Sequence, residues 1–233
     1  MPLNNATLNI FLDTNKYLRE KKTPPYYLES KIYDLSFVLS DVEKFLIVSD
    51  IVENDKAASI FRYYKRNRIL AEIFPELDKL SAVPQRKSKS RNAFEHVMNV
   101  LEQIDFSLQY YRWLAIFHDL GKHRSFFEDH NFNKHALCSC DLASAILERW
   151  KIDGFKQSVM IMQVKAHMWP LDYQRNPNWT DVAVVNFVKR CGSQQIALYA
   201  IQFSIYDKQA ENDNPDFLIP LKDLYEKVKK VVL

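Results

Sequence analysis

The sequence predicts an all-α protein, and two observations carry that expectation. Glycine occurs only three times in 233 residues, as Gly121, Gly154 and Gly192, far below the roughly 7% usual in globular chains. A many-stranded β protein needs hairpin turns that tolerate positive φ, and this chain is poor in residues for them. From residue 92 onward, apolar residues recur with a helical rather than an alternating period. With 47% apolar and 26% charged residues, the composition is ordinary for a globular chain long enough to bury a core. The glycine shortage also excludes a phosphate-cradling P-loop and a dinucleotide fingerprint.

Residues 1–85 read as several short amphipathic helices broken at Pro24-Pro25 and Pro75, with Leu35, Val38, Leu39 and Val42 at helical spacing. In RILAEIFPELDKLSAVPQ (68–85), Pro75 ends one helix and a short second follows. The residue before Pro84 is then pushed into an extended exit. The polar basic run RKSKSR (86–91) marks the expected boundary between an N-terminal helical region, 1–85, and a second region, 86–233, that holds all six histidines. Phe94, Val97, Leu101 and Ile104 form the next stripe; Leu108, Tyr111, Ala115 and His118 form another, ended by a turn at Leu120-Gly121. Residues 134–150 give a helix with Leu142, Ile146 and Trp150 in phase, and Val159 to Met168 another. After a loop punctuated by Pro170 and Pro177, helices are expected over 179–190, 193–210 and 217–232.

The 32 Lys and Arg residues against 29 Asp and Glu give a formal charge of +3, which permits an anionic partner without specifying one. Three cysteines, Cys138, Cys140 and Cys191, form no CxxC pair and argue for a reduced compartment, with Cys138 and Cys140 as packing residues. The start MPLNNATLNIFLDTNK lacks a signal-peptide pattern, and no apolar run approaches the roughly 20 residues of a membrane span. A cytoplasmic chain is expected.

The residues that promise chemistry are His96, the adjacent His118-Asp119, His135, His167 and Asp207. Each lies on or at the end of an expected helix, in or beside an apolar stripe: His96 next to Val97, His118 one turn after Leu114, His167 one turn after Val164, Asp207 continuing Ala200, Phe203 and Ser204. A lone inward histidine is most often a hydrogen-bonded core residue, and a lone Asp near a helix end a cap. An inward carboxylate, however, is costly unless paired or bound to a metal. Shared ligation of a divalent ion explains the whole set at once. His123 and His130 fall in the polar segment KHRSFFEDHNFNK and are expected at the surface or at the mouth of the site.

The order His96, His118-Asp119, Asp207 resembles the HD superfamily of metal-dependent phosphohydrolases. The strings AIFHDLGKHRS (115–125), FNKHALCSCDLASAILERWKI (132–152), VKAHMWP (164–170) and IQFSIYDKQAEND (201–213) are similar to the HD domain in the C-terminal part of bacterial CCA-adding tRNA nucleotidyltransferases and poly(A)-polymerase relatives. ILAEIFPELDKLSAVPQ (69–85) and FEHVMNVLEQ (94–103) resemble the segment leading into it. No part of the chain resembles the nucleotidyltransferase head, so the resemblance does not imply CCA addition. Where relatives often carry Gly-His-Glu, this chain has Lys134-His135-Ala136 and keeps the histidine.

The resemblance implies an HD-type helical bundle with an N-terminal extension. It implies a first divalent ion on His96, His118, Asp119 and Asp207, with Asp119 bridging to a second held by His135 and His167. It also implies hydrolysis of nucleotide or RNA phosphoesters by a water that the metal activates. Asp119 and Lys122 would be the catalytic side chains, Lys122 stabilising charge on the phosphoryl oxygens; the plainer reading of Lys122 is an exposed lysine at a helix end. In FRYYKRNR (61–68), Arg62, Lys65, Arg66 and Arg68 with Tyr63 and Tyr64 would offer RNA phosphate contacts and stacking, as would the basic run 86–91. The plainer alternative is a solvated helix face with inward tyrosines. A nucleotide-monophosphate or dNTP phosphohydrolase, and a non-catalytic RNA-binding module with a structural metal, stay open.

Overall fold

The computed structural model describes residues 5–25, 39–85, 89–128, 130 and 132–231. Leu35 and Val38 of the first expected stripe, and residues 86–88 of the basic run, lie outside the described residues. The fold is all-α: 73% of the chain is helical and no strand occurs among the described residues. The N-terminal half supplies α1 (Asn5–Arg19), α2 (Asp41–Val52), α3 (Ala57–Arg66) and two short helices divided by Phe74, α4 (Leu70–Ile73) and α5 (Pro75–Lys79). Pro75 is at the first turn of α5, where its missing N–H costs nothing. A 3₁₀ turn, Leu80–Ala82, leads to the extended exit that Pro84 predicts.

The second half contains α6 (Ala93–Gln103), α7 (Gln109–Phe117), α8 (Lys122–Phe127), α9 (His135–Arg149), α10 (Gly154–Ala166), α11 (Pro170–Arg175), α12 (Asp181–Cys191), α13 (Gln194–Glu211) and α14 (Ile219–Lys229). Local chemistry sets many of these starts. Ser40 and Glu43 form a capping box on α2, and Asn92, Thr180 and Ser193 each accept a hydrogen bond from the third residue of α6, α12 and α13. Gly192 ends α12 in the left-handed region at φ 86°.

Several expectations are corrected. Leu108 is not part of the α7 stripe: it precedes the helix and is exposed. The polar segment after Gly121 contains α8, and the loop after Met168 contains α11, begun by Pro170. Both are one or two turns long, too short to display a period. The helix expected from Val159 starts five residues earlier, and the one expected from residue 217 begins at Ile219, after a 3₁₀ turn, Pro215–Leu218.

Two apolar cores hold the bundle. The larger draws on α1 to α10 and includes Phe11, Ile47, Phe61, Phe74, Val97, Phe117 and Ile146. The smaller is built by α11 to α14 around Tyr173, Phe187, Ile201 and Leu224. Helix α13 serves both, turning Phe203 and Ala210 into the first and Ala197, Ile201 and Ile205 into the second. A helix buried on two sides needs apolar residues around most of its circumference. Buried Arg112 on α7 ties the halves together, donating to the carbonyls of Val52 (2.7 Å), Ile104 (3.1 Å) and Asn54.

Candidate metal centre

Five elements bring the predicted ligands to one place. His96 comes from the first turn of α6, His118 and Asp119 from the turn that ends α7, His135 from the first position of α9, His167 from just beyond α10, and Asp207 from the C-terminal part of α13. All six are buried. Gly121 allows the approach: a Cβ there would lie 2.3 Å from the His135 carbonyl oxygen and 2.3 Å from the Ser139 nitrogen. The Gly121 N–H donates to Ser139 Oγ at 2.9 Å, pinning the turn to α9. The glycine is needed here for contact, not for a left-handed turn, because its φ is −71°.

Three imidazoles are oriented in the same way. Nδ1 of His118, His135 and His167 lies 2.8, 2.6 and 2.6 Å from the carbonyl oxygens of Ala115, Phe132 and Val164. A carbonyl only accepts, so each Nδ1 carries the proton and each Nε2 presents a lone pair to the interior, the usual arrangement of a ligating histidine. His135 Nε2 and His167 Nε2 face each other at 3.2 Å. Burial lowers the pKa of both rings, that of His167 to about 3, leaving them neutral at physiological pH. Two lone pairs directed at one another at this distance repel unless a cation sits beside them.

The carboxylates complete two groups. His96, His118 and Asp207 can each offer a donor atom within 4.8 Å of the others, and so can Asp119, His135 and His167. His96 Nε2 is 2.9 Å from Asp207 Oδ1. Asp119 faces both groups: Oδ2 is 3.5 Å from His96 Nε2 and 3.1 Å from His118 Nε2, and Oδ1 is 3.5 Å from His135 Nε2. His118 Nε2 and Asp119 Oδ2 are fully enclosed, and neither makes a hydrogen bond of normal geometry among the described residues. Burial opposes the charge of Asp119, but His118 and Lys122 outweigh it and hold the carboxyl well below the usual range. The donor set, imidazole nitrogens with carboxylate oxygens, and the enclosed His118 Nε2 without a hydrogen-bond partner fit divalent ions.

Lys122, from the first turn of α8, places Nζ 2.6 Å from Asp119 Oδ2 and is mostly buried, not the exposed lysine of the plainer reading. A cleft of about 180 Å³ opens over the group; besides the ligands it is lined by Gln85, Lys122, Phe132, Met168, Lys208 and Glu211. Sequence reasoning missed Gln85, Lys208 and Glu211. Lys208 and Glu211 carried a signal, one residue and one turn beyond an expected ligand; Gln85 carried none. His123 is partly covered against Phe127, and His130 is exposed. Arg62 pairs with Glu95 (2.8 Å) and Glu102, Lys65 with Asp78 (2.8 Å), and Tyr64 is buried, so of the basic segment 61–68 Arg66 and Arg68 are the exposed cations. Lys89 of the second basic run pairs with Asp213.

No protein-family model matches the chain. It is 32% identical over 117 residues to the multifunctional CCA protein of Azoarcus sp. (strain BH72), covering 47% of this chain and 28% of that protein. It is also 32% identical over 110 residues to the A-adding tRNA nucleotidyltransferase of Deinococcus radiodurans, covering 43% of this chain and 25% of that enzyme. The similarity falls in the C-terminal region of such enzymes. The chain thus spans about a quarter of the length of these relatives and is distantly homologous to them. No described helix is long and apolar enough to cross a membrane.

Proposed function

We propose that the chain is a metal-dependent phosphohydrolase of the HD type, acting on nucleotide or RNA phosphoesters, with residues 1–85 as a helical extension packed on an HD domain of 86–233. The observation that carries this reading is the split coordination geometry of Asp119, one oxygen toward His96 and His118 and the other toward His135, beside two neutral imidazoles whose Nε2 atoms face each other. His96, His118, Asp119 and Asp207 would hold one divalent ion, and His135 and His167, with Asp119 between, a second. Bound there, the ions would supply charge neutralisation at phosphorus and a water deprotonated near neutral pH.

The protein's own groups do the rest. Backbone carbonyls of Ala115, Phe132 and Val164 fix the imidazole tautomers and ring directions. Lys122 places a positive charge at the cleft beside Asp119, where it would stabilise the phosphoryl oxygens as charge develops on them. Substrate class is supported by the distant relation to tRNA nucleotidyltransferases.

The test is elemental analysis of the purified protein with a screen of phosphomonoesters, cyclic diesters, free nucleotides and RNA ends. Asp119→Ala is expected to lose bound metal and all hydrolysis while keeping its helical circular dichroism. Lys122→Ala is expected to keep its metal and lose roughly 10- to 1000-fold in turnover. Normal turnover in Asp119→Ala refutes the mechanism; normal turnover in Lys122→Ala removes that lysine from it.

A further inference from the structure

The cleft over the histidine–aspartate group is small. Its volume of about 180 Å³ falls below the roughly 300–1,000 Å³ of ordinary ligand pockets, so a nucleotide whose phosphate sits there extends beyond it. Beside it lies a groove of about 520 Å³, and the two share Phe132, His135 and Met168 as common walls. Phe132 stands at this junction, 37% exposed and stacked on Phe126 at 5.7 Å.

The groove is basic and partly aromatic. Among the described residues, Lys165, Arg175 and Arg190 line it against one carboxylate, Asp172, which is 3.4 Å from Arg175. All three cations are exposed. Each belongs to the last turn of its helix, Lys165 of α10, Arg175 of α11 and Arg190 of α12. A cation near a helix C-terminus is favourable for that helix alone, but the helix dipole gives no reason for three of them to meet beside one cleft. The Arg190 guanidinium lies over the Trp169 ring, 3.8 Å from its centroid. That stack holds a long, flexible side chain in one place and presents a planar cation on which a nucleobase can stack.

We propose that this groove binds the nucleotides of a single-stranded RNA adjoining the phosphate held at the metal centre, with Lys165 and Arg175 on backbone phosphates and Arg190 and Phe132 stacking on bases. The inference rests on the hydrolase reading for the phosphate and on the groove for the strand. A basic, aromatic-lined channel continuous with the site suits a flexible polyanion whose bases are unpaired. It favours an RNA end over a free nucleotide, because a strand gains contacts all along the groove and a mononucleotide only the nearest.

The experiment follows a short labelled single-stranded RNA, ending in a non-hydrolysable phosphonate, by fluorescence anisotropy on the metal-loaded full chain. Arg190→Ala is expected to weaken binding roughly 10-fold, from lost stacking and charge. Lys165→Ala is expected to lower the slope of log affinity against log salt by about 0.7. Arg190→Lys keeps the charge without the plane, so it is expected to retain the salt slope and lose affinity. A purely structural role for Arg190 would lower the thermal midpoint and leave the salt slope unmoved. Where that midpoint falls, Lys165→Glu at its exposed position decides: lost binding supports the groove and unchanged binding overturns it. Affinities within about twofold of the unsubstituted protein in both alanine variants overturn the proposal, as does absence of RNA binding by the unsubstituted protein.

Turnover separates the groove from the hydrolase reading. The ratio of kcat/KM for an oligonucleotide to that for the mononucleotide with the same terminal phosphate is expected to favour the oligonucleotide, and to fall about tenfold in Arg190→Ala. Hydrolysis without that preference overturns the groove and keeps the hydrolase. RNA binding that the groove variants weaken, with no phosphoester hydrolysed, keeps the groove and ends the hydrolase reading.

Discussion

Individual side chains in this bundle are tuned chiefly by burial. His135 and His167 stay neutral because imidazolium would lose its hydration, whereas Asp119 stays charged because His118 and Lys122 outweigh the same penalty. Cys140 and Cys191 follow the same rule without any site. Burial pushes the Cys140 thiol up to about 11 and the Cys191 thiol up to about 12, from an ordinary 9. In the unfolded chain these thiols ionise first, so the unfolded state holds fewer protons above about pH 9 and stability falls as pH rises through that range. At about pH 10 each thiol withdraws roughly 1 kcal/mol. Urea midpoints measured from neutral to alkaline pH are expected to decline, and less steeply in Cys191→Ala than in the unsubstituted protein. Parallel declines would show that Cys191 is not the group responsible.

At the scale of elements, the turn between α7 and α8 is the critical joint. It presents His118, Asp119 and Lys122 within five residues, and it works only because Gly121 lets α9 come into backbone contact. Gly121→Ala places a methyl group 2.3 Å from backbone atoms of His135 and Ser139, which cannot yield as a flexible side chain would. The expected cost is at least about 1–3 kcal/mol together with displacement of His135 from its partners. Gly154 at the start of α10 has nothing within 4 Å of an added Cβ, and Gly154→Ala is expected to change stability by no more than about 0.5 kcal/mol. Denaturant titration of the pair checks this; equal effects would remove the close-approach argument.

The whole molecule gathers buried polar groups at the centre of an apolar bundle, an arrangement that a bound cation would stabilise. Any ion that binds the folded state alone raises stability by mass action, by about 2.7 kcal/mol at a hundredfold excess over Kd. For a chain of this size that corresponds to a rise in Tm of roughly 5–10 °C. Differential scanning calorimetry with added Mn²⁺ or Zn²⁺ is expected to show the rise in the unsubstituted protein and to lose most of it in Asp119→Ala. An equal rise in both would place the binding elsewhere.

Local chemistry made much of this protein legible in the order of its residues. Apolar spacing marked the long helices, Pro75 and Pro84 marked a break between two short helices and an extended exit, and the inward placement of His96, His118, Asp119, His135, His167 and Asp207 followed from their phase beside apolar neighbours. Those properties depend on residues within a turn or two. Tertiary structure decided the rest. That His135 Nε2 meets His167 Nε2, and that Asp207 on α13 meets His96 on α6, depends on how five elements pack, which no local period encodes. That Arg62 and Lys65 form ion pairs with Glu95, Glu102 and Asp78 depends on helices brought together by folding. Gln85 acquired its place in the cleft only when the segment around Pro84 paired with the start of α6. The sequence determined which groups face inward, because that is a property of one helix; packing determined which of them meet, because a meeting needs at least two.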